Sequence, residues 1–271
     1  MVAWQHGFRR KKTVHIPALR MSIASKHSSL RWKAALKKIP GLVWLVRWGR
    51  VVFIPARRSE WALRRRKPDN LFQPVSHTSH NRYPRIFRFV CERLSNKDVP
   101  RILSYGCSTG EEVFSLGEYL PHSEFVGIDI NPHNIAVCRK RWEKERNPRI
   151  RFELAASPDH EPDSHYDAVF CMAVLRHGDL GVNCPEYCDH LIRFADFERA
   201  VAGLGRILKP GGYLIIRHSN FRFADTAVAA GFDVAFSVCG QLCTGTPLYG
   251  PDNRRLPDEP YNDVVFCKNP E

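Results

Sequence analysis

The residues of this chain best suited to chemistry fall in three short runs: Gly106–Glu112 (GCSTGEE) with Asp129 downstream, Cys171–His177, and Arg217–Asn220. Gly106 and Gly110 bracket a turn after the apolar Ile102, Leu103 and Tyr105. Glycine at both ends lets a ligand approach the main chain where a side chain would stand in the way. Glu111 and Glu112 follow in the first turn of a helix, for which Ser108 or Thr109 is the expected N-cap. A pyrophosphate-binding turn wants G-x-G-x-x-G and a helix start without acids. Here Ser108 and Glu111 stand where the second and third glycines would be, and two carboxylates repel a pyrophosphate. Asp129 lies 23 residues beyond Gly106, near the ~20-residue spacing of the acid that holds ribose hydroxyls in nucleotide-binding folds.

A ligand that combines an adenosine, a zwitterionic amino acid and a positive sulfonium suits such a turn, and S-adenosylmethionine is that ligand. Its expected binding set is Tyr105, Gly106, Cys107, Ser108, Thr109, Gly110 and Glu111 from the loop, with Asp129 on both ribose hydroxyls and Ile130 and Asn131 beside it. Cys171 and Met172 join them from the carboxyl end of a central strand, where open α/β sheets bind ligands. A nicotinamide dinucleotide is disfavoured by the glutamates at the helix start.

The run SYGCSTGEEVFSL resembles the cofactor loop of the chemotaxis-receptor glutamate methyltransferases, whose GCSTGEE signature stands intact at Gly106–Glu112. More broadly, residues 100–268 resemble a class I S-adenosylmethionine-dependent methyltransferase domain. The resemblance implies a Rossmann-like α/β fold with a seven-stranded, mostly parallel sheet and helices on both faces. It implies adenine contact at Ala156 and Ser157, where the family often carries an acid that this chain lacks. It implies that Cys171 and Met172 flank the adenosine and the methyl-transfer centre, and that His177 faces the site. Lys209-Pro210-Gly211-Gly212 is similar to a turn common before a strand in this class. The chemotaxis enzymes place Gly-His-Ser-Glu where Arg217, His218, Ser219 and Asn220 stand, so two positions match and two depart. They also carry an arginine in the segment ahead of the domain, for which Arg82 is the nearest candidate, in a stretch placed to fold over the cofactor.

Patterning places the other elements. YPRIFRFVCERL reads as a helix over Tyr83–Leu94 with Ile86, Phe87, Val90 and Leu94 on one face. Strands are expected at Phe125–Ile130, Ile150–Leu154, Tyr166–His177, after the Lys209–Gly212 turn, at Asp233–Val238 and at Asn262–Lys268. Helices are expected from Pro132 to Arg146, over Asp189–Leu208 and over Asp225–Ala230. The long loop Cys239–Asn262 is read as shaping the acceptor pocket.

With 271 residues at 44% hydrophobic composition, the chain can bury a substantial core. Its +13 charge is uneven: residues 1–67 hold 18 Lys/Arg against one acid, Glu60, and the remainder holds 23 against 27. Basicity therefore belongs to the N-terminal segment and concerns what that segment touches. Residues 1–29 read as a basic, disordered leader, and 30–81 as a basic helical arm and linker ahead of a domain at 82–271. The apolar part of the arm is too short to span a bilayer. Trp32, Trp44, Trp48 and Trp61 among lysines and arginines fit an anionic membrane surface, a partner protein, or packing on the chain's own domain, with nucleic acid a weaker reading. Nine cysteines, an odd number spread through expected strands and helices, read as thiols of a cytoplasmic protein, peripheral to a membrane if the arm docks there. The C-x3-C pairs Cys184/Cys188 and Cys239/Cys243 have no finger-like histidines beside them, and no metal is expected.

Methyl transfer from a sulfonium needs alignment more than acid–base help, though a hydroxyl, amine or phenol acceptor gains from a base. His177 and His218 are the candidates, with Asp179 third. Three functions follow: a methyltransferase for a small-molecule or glycan-type acceptor, a protein carboxyl methyltransferase of chemotaxis type, or a non-catalytic cofactor-binding scaffold. Deletion of residues 1–67 is expected to leave cofactor affinity nearly intact.

Overall fold

The structure is a computed structural model that describes residues 49, 51–238, 246–257 and 261–270. The leader, the arm as far as Trp48, Cys239 and Cys243 lie outside the described residues.

Seven strands form one sheet in the order β3-β2-β1-β4-β5-β7-β6. They are β1 Arg101–Tyr105, β2 Glu124–Asp129, β3 Ile150–Leu154, β4 Tyr166–Met172, β5 Leu208–Arg217, β6 Phe232–Ser237 and β7 Asp263–Lys268. The first five pair in parallel, whereas β7 runs antiparallel between β5 and β6. The central β4 is buried over Tyr166–Cys171, as expected of a parallel strand covered on both faces. Helices α1 Pro55–Arg66, α2 Pro84–Leu94, α3 Glu111–Tyr119, α4 Pro132–Glu145, the single turn α5 Leu180–Asn183 and α6 Phe194–Ile207 complete the frame.

The sheet separates two cores. On one face α2, α3 and α4 pack Phe87, Val90, Phe114 and Ile135 against Ile102 and Phe170. On the other, α6 packs Phe197, Val201 and Leu204 against Leu103 and Val169. The amphipathic face expected of α2, Ile86, Phe87, Val90 and Leu94, is buried. Asp167, at the opposite end of the sheet from the glycine turn, is held by Lys97 (2.6 Å), Lys209 (2.9 Å) and the Arg101 N–H (2.8 Å).

Five local expectations differ from the structure. Neither Ser108 nor Thr109 caps α3; Gly110 does, at φ +86°, because the Ser108 N–H is drawn to Asp129. β4 ends at Met172 rather than running to His177, since Ala173 turns left-handed at φ +60°. The helix expected from Asp189 begins at Phe194, whose N–H is capped by the Asn253 side chain at 2.7 Å, a partner 59 residues away. The helix expected over Asp225–Ala230 is two short 3-10 turns, Phe223–Asp225 and Ala227–Gly231, split at an extended Thr226 whose hydroxyl bonds the Phe223 carbonyl. The Lys209–Gly212 turn is a bulge inside β5, between the pairs Tyr166↔Leu208 and Ala168↔Tyr213, with Gly211 at φ +71°.

The last part of the expected arm belongs to the domain's surface. α1 packs on α4, with the Ser59 hydroxyl donating to Asn131 Oδ1 at 2.6 Å and Leu63 buried.

Candidate active site

The strand order reverses between β1 and β4, where an open α/β sheet leaves a crevice beyond the carboxyl ends of its strands. The loop after β1 enters that crevice by left-handed steps at Gly106 (φ +70°), Ser108 (+52°) and Gly110 (+86°). The Gly106 and Cys107 N–H groups donate to the Ile128 carbonyl at 2.8 and 3.0 Å, which fixes the loop to the end of β2. A methyl group at Gly106 would lie 2.4 Å from Val174 Cγ2, so conformation and space both require glycine there.

Asp129 is the polar node of this half of the site. Its Oδ2 accepts from the Ser108 N–H at 2.8 Å, and its Oδ1 from the Asn131 N–H at 2.7 Å and Asn134 Nδ2 at 3.1 Å. Burial pushes its carboxyl up, and these three donors oppose that shift. With two acceptor positions per carboxylate oxygen, Oδ1 is filled and Oδ2 can take one more donor. Lone-pair accounting thus leaves one open acceptor position at the carboxylate.

Two clefts adjoin the loop. The first runs between Asp129–Asn131, Met172–Val174 and Leu63. The second is walled by Gly106–Ser108, Glu112, Met172, Arg82, Tyr83 and Phe87. Residues Gln73–His77 close one and His77–Ser79 the other, so the Pro/Ser-rich stretch lies as a strap across both. The strap is tied down by Asn134 Nδ2 to Ser76 Oγ (2.8 Å), the Asn81 N–H to Ser115 Oγ (2.8 Å), and Arg82 to the His77 carbonyl (2.9 Å).

The two glutamates at the start of α3 part company because successive helix positions point about 100° apart. Glu111 turns to the surface and pairs with Arg141 at 3.1 Å. Glu112 turns into the second cleft, where the Ser104 hydroxyl donates to its Oε1 at 2.7 Å. Burial pushes the Glu112 carboxyl up to about 7, against the opposing pull of the Ser104 hydroxyl and the Arg82 charge. Glu112, Arg82 and Tyr83 therefore line the site, although only Glu111 was expected from this pair. The helical phase after a fixed cap would have separated the two.

Of the other expected residues, Gly106, Cys107, Ser108, Asp129, Ile130, Asn131 and Met172 line the clefts, while Thr109 and Gly110 carry the loop without lining them. Tyr105 points beneath the site and donates to the Ala156 carbonyl at 2.9 Å. The Ser157 hydroxyl is occupied by Asp159 at 2.6 Å, and Cys171 is core. Neither Ala156 nor Ser157 reaches the clefts.

The two histidines are not brought together. His177 lines a separate cavity of about 410 Å³ with Arg64, Asp179, His190, Arg193 and Asp196, on the far side of Phe72–Pro74. Its Nδ1 accepts from the Asp179 N–H at 3.3 Å. Burial holds its pKa down, Asp179 opposes, and Arg64 and His190 add to the lowering. His218 ends β5 at φ +55° with its ring 5.8 Å from that of Tyr83. Burial, then the charges of Arg217, Arg176 and Arg82, push it down to about 4. Both imidazoles are neutral at pH 7, and His218 is a weak base. Among the described residues no group of three or more His, Cys, Asp or Glu could hold a metal ion, and Cys184 and Cys188 are free thiols.

Residues 96–246, more than half of the chain, match the family model described as a methyltransferase domain, and the chain belongs to that family. Its relatives include a demethylmenaquinone methyltransferase from Thermus thermophilus, 33% identical over 121 residues that cover 44% of this chain and 47% of that protein. An O-methyltransferase, rstn1, from Aspergillus nomiae is 26% identical over 135 residues, 49% of this chain and 52% of that one. The matches span about half or less of the length of these curated relatives. Among solved structures, the StiE O-methyltransferase domain is similar at 23% identity and a TM-score of 0.36, over 62% of this chain and 50% of that one.

Proposed function

We propose that this methyltransferase takes S-adenosylmethionine as its donor and methylates a small-molecule acceptor, a glycan precursor included. The observation that supports it best is the pairing, across one glycine loop, of a carboxylate with an open acceptor position at Asp129 and a cleft that carries a carboxyl, Glu112, and a guanidinium, Arg82. These donors and acceptors fit the cofactor. Asp129 Oδ2 would take a ribose hydroxyl, Ile130 and Met172 would face the adenosine, and Glu112 and Arg82 would take the ammonium and carboxylate of its amino acid. The relatives' activities, a demethylmenaquinone methyltransferase and an O-methyltransferase, support a small molecule over a protein carboxylate.

When bound, S-adenosylmethionine supplies an electrophilic methyl group whose sulfonium departs with the electron pair as the neutral thioether of S-adenosylhomocysteine. The protein's task is to align the acceptor with that methyl and to exclude water. Gly106 and Met172, common to both clefts, would flank the reacting atoms, and the strap would shield them. His177 faces another cavity. His218 stands near the second cleft beside Tyr83, but its low basicity suits it to hold an acceptor oxygen rather than to remove its proton. A phenol would instead be ionised with the help of the arginine charges nearby.

Calorimetric titration with S-adenosylhomocysteine tests the reading, with NAD as the control. Micromolar binding in the absence of NAD binding is the expected result. A folded protein that binds neither would overturn it and leave the scaffold function in first place.

A further inference from the structure

Among the buried polar atoms that have no hydrogen-bond partner among the described residues are the Tyr83 hydroxyl, at the wall of the second cleft, and Arg176 Nε. Both can donate, and a buried donor without an acceptor is unfavourable. They approach from opposite sides. Tyr83 comes from the strap's end, immediately before α2, and Arg176 from the turn that leaves β4. The exit of β5 is held beside that turn, because the Ala173 N–H donates to the Arg217 carbonyl at 2.8 Å and the Asn220 N–H to the Leu175 carbonyl at 3.1 Å. The Arg82 guanidinium lies 5.1 Å over the Tyr83 ring, and the His218 ring packs 5.8 Å from the same tyrosine. The charges that act on Tyr83 are Arg82, Arg217 and Arg176, with Glu112 the one acid among them.

One of these cations already has an employment. Arg82 and Glu112 share the cleft beside Gly106 and complement a zwitterion. Arg176 lines neither cleft of the loop and is left over, at the carboxyl ends of adjacent strands, where an acceptor must arrive to meet the methyl group. A neutral oxygen could accept from its Nε–H and from the Tyr83 hydroxyl, but only an anion would also offset the guanidinium charge.

We propose that the β4–β5 exit is the acceptor subsite, with Arg176 and Tyr83 as its donors, and that it takes a small molecule bearing an anionic oxygen, a carboxylate or a phosphate. This rests on the cofactor reading given above. Specificity for acidic acceptors then comes from these residues, and alignment of the reacting atom follows from the anchored anion.

The test uses the full chain saturated with S-adenosylhomocysteine and reads its thermal midpoint against benzoate, inorganic phosphate and the neutral isostere benzamide. Benzoate and phosphate are expected to stabilise the wild type at millimolar concentration, and benzamide is not. Arg176→Gln should weaken the response at least about tenfold, the loss of one charge-assisted hydrogen bond. Arg176→Lys should restore part of it. Tyr83→Phe removes only an unpartnered hydroxyl, so it should fold and lower the benzoate response about threefold. Equal response to benzoate and benzamide, silence toward both anions, or an unchanged anion response in Arg176→Gln and Tyr83→Phe would overturn the proposal. Direct titrations with S-adenosylhomocysteine and 5′-methylthioadenosine, which lacks the amino-acid end, separate the two sources of an anion. If Arg176→Gln weakens only the former, Arg176 holds the cofactor's own carboxylate and the acceptor subsite is refuted. If the wild type binds neither nucleoside, the cofactor reading itself has failed.

Discussion

The two sides of the crevice are finished to different degrees. Around Asp129 the carboxylate is largely paired: the Ser108 and Asn131 N–H groups and the Asn134 amide fill three of its four positions, and Asn134 passes the network on to the strap through Ser76, with the Ser108 hydroxyl the one buried group there that has no partner among the described residues. At the β4–β5 exit, by contrast, a tyrosine hydroxyl and a guanidinium nitrogen face inward without one. The finished side is preorganised, and its ligand meets groups that are already oriented. The open side carries an unmet demand that only a ligand of the right charge removes. A cofactor shared by a whole family suits the first arrangement, and an acceptor particular to one enzyme suits the second.

The contrast breaks most readily at Asp129. Asp129→Ala is expected to lower affinity for S-adenosylhomocysteine about 100-fold, through loss of a charged ribose contact and of the loop's anchor. Its melting point should fall too, because the Ser108 and Asn131 N–H groups lose their acceptor. Calorimetry and thermal melts read both effects, and an affinity within threefold of wild type would show that the preorganised side lies elsewhere.

Glu112 gives the next largest effect, and its sign is fixed. Its pKa is raised from 4.5 to about 7, so the stability gained by keeping the acid neutral is complete below pH 4.5 and is lost as the pH rises through 7. An ammonium group pairs with the ionised form. Affinity for S-adenosylhomocysteine should therefore climb between pH 5.5 and 7.5, by at most about tenfold per unit, while that for 5′-methylthioadenosine stays level. Glu112→Gln should flatten the climb and the stability loss together; a climb that survives in the variant assigns the titration to another group.

The smallest effect belongs to His218. A general base contributes about 10²–10⁴-fold, whereas a histidine held near 4 should cost less than about tenfold on replacement by glutamine, with no step near pH 6.5 in the wild-type rate profile. A hundredfold loss together with such a step would restore it as the base.

What the sequence made legible was local. The glycines, Asp129 and the alternation of strands and helices are set by neighbours within some 25 residues, and the sheet and the loop follow from them. Even there, Ser108 could not be seen to give up the helix cap, because its N–H is claimed by an acid 21 positions on. Tyr83, Arg176 and His218 meet only once β4 and β5 lie side by side, and no spacing rule joins positions so far apart. The Lys67–Asn81 stretch reads by composition as a linker, and its part Gln73–Ser79 closes the clefts, in line with the expectation of a stretch that folds over the site. Deletion of residues 1–67, expected to leave cofactor affinity nearly intact, would also take away Leu63, which lines a cleft, and Ser59, which bonds Asn131. A truncation that spares the site has to stop before Pro55.

The strap also has a kinetic meaning. The clefts beneath it amount to about 30 and 70 Å³, whereas small-molecule sites commonly run to ~300–1,000 Å³. Each round of exchange must then part the strap from Ser115 and Asn134 before a spent nucleoside can leave. Residence time, rather than the transfer itself, should set the pace of turnover. A chase experiment that finds release of S-adenosylhomocysteine much faster than steady-state turnover would remove the strap from that role.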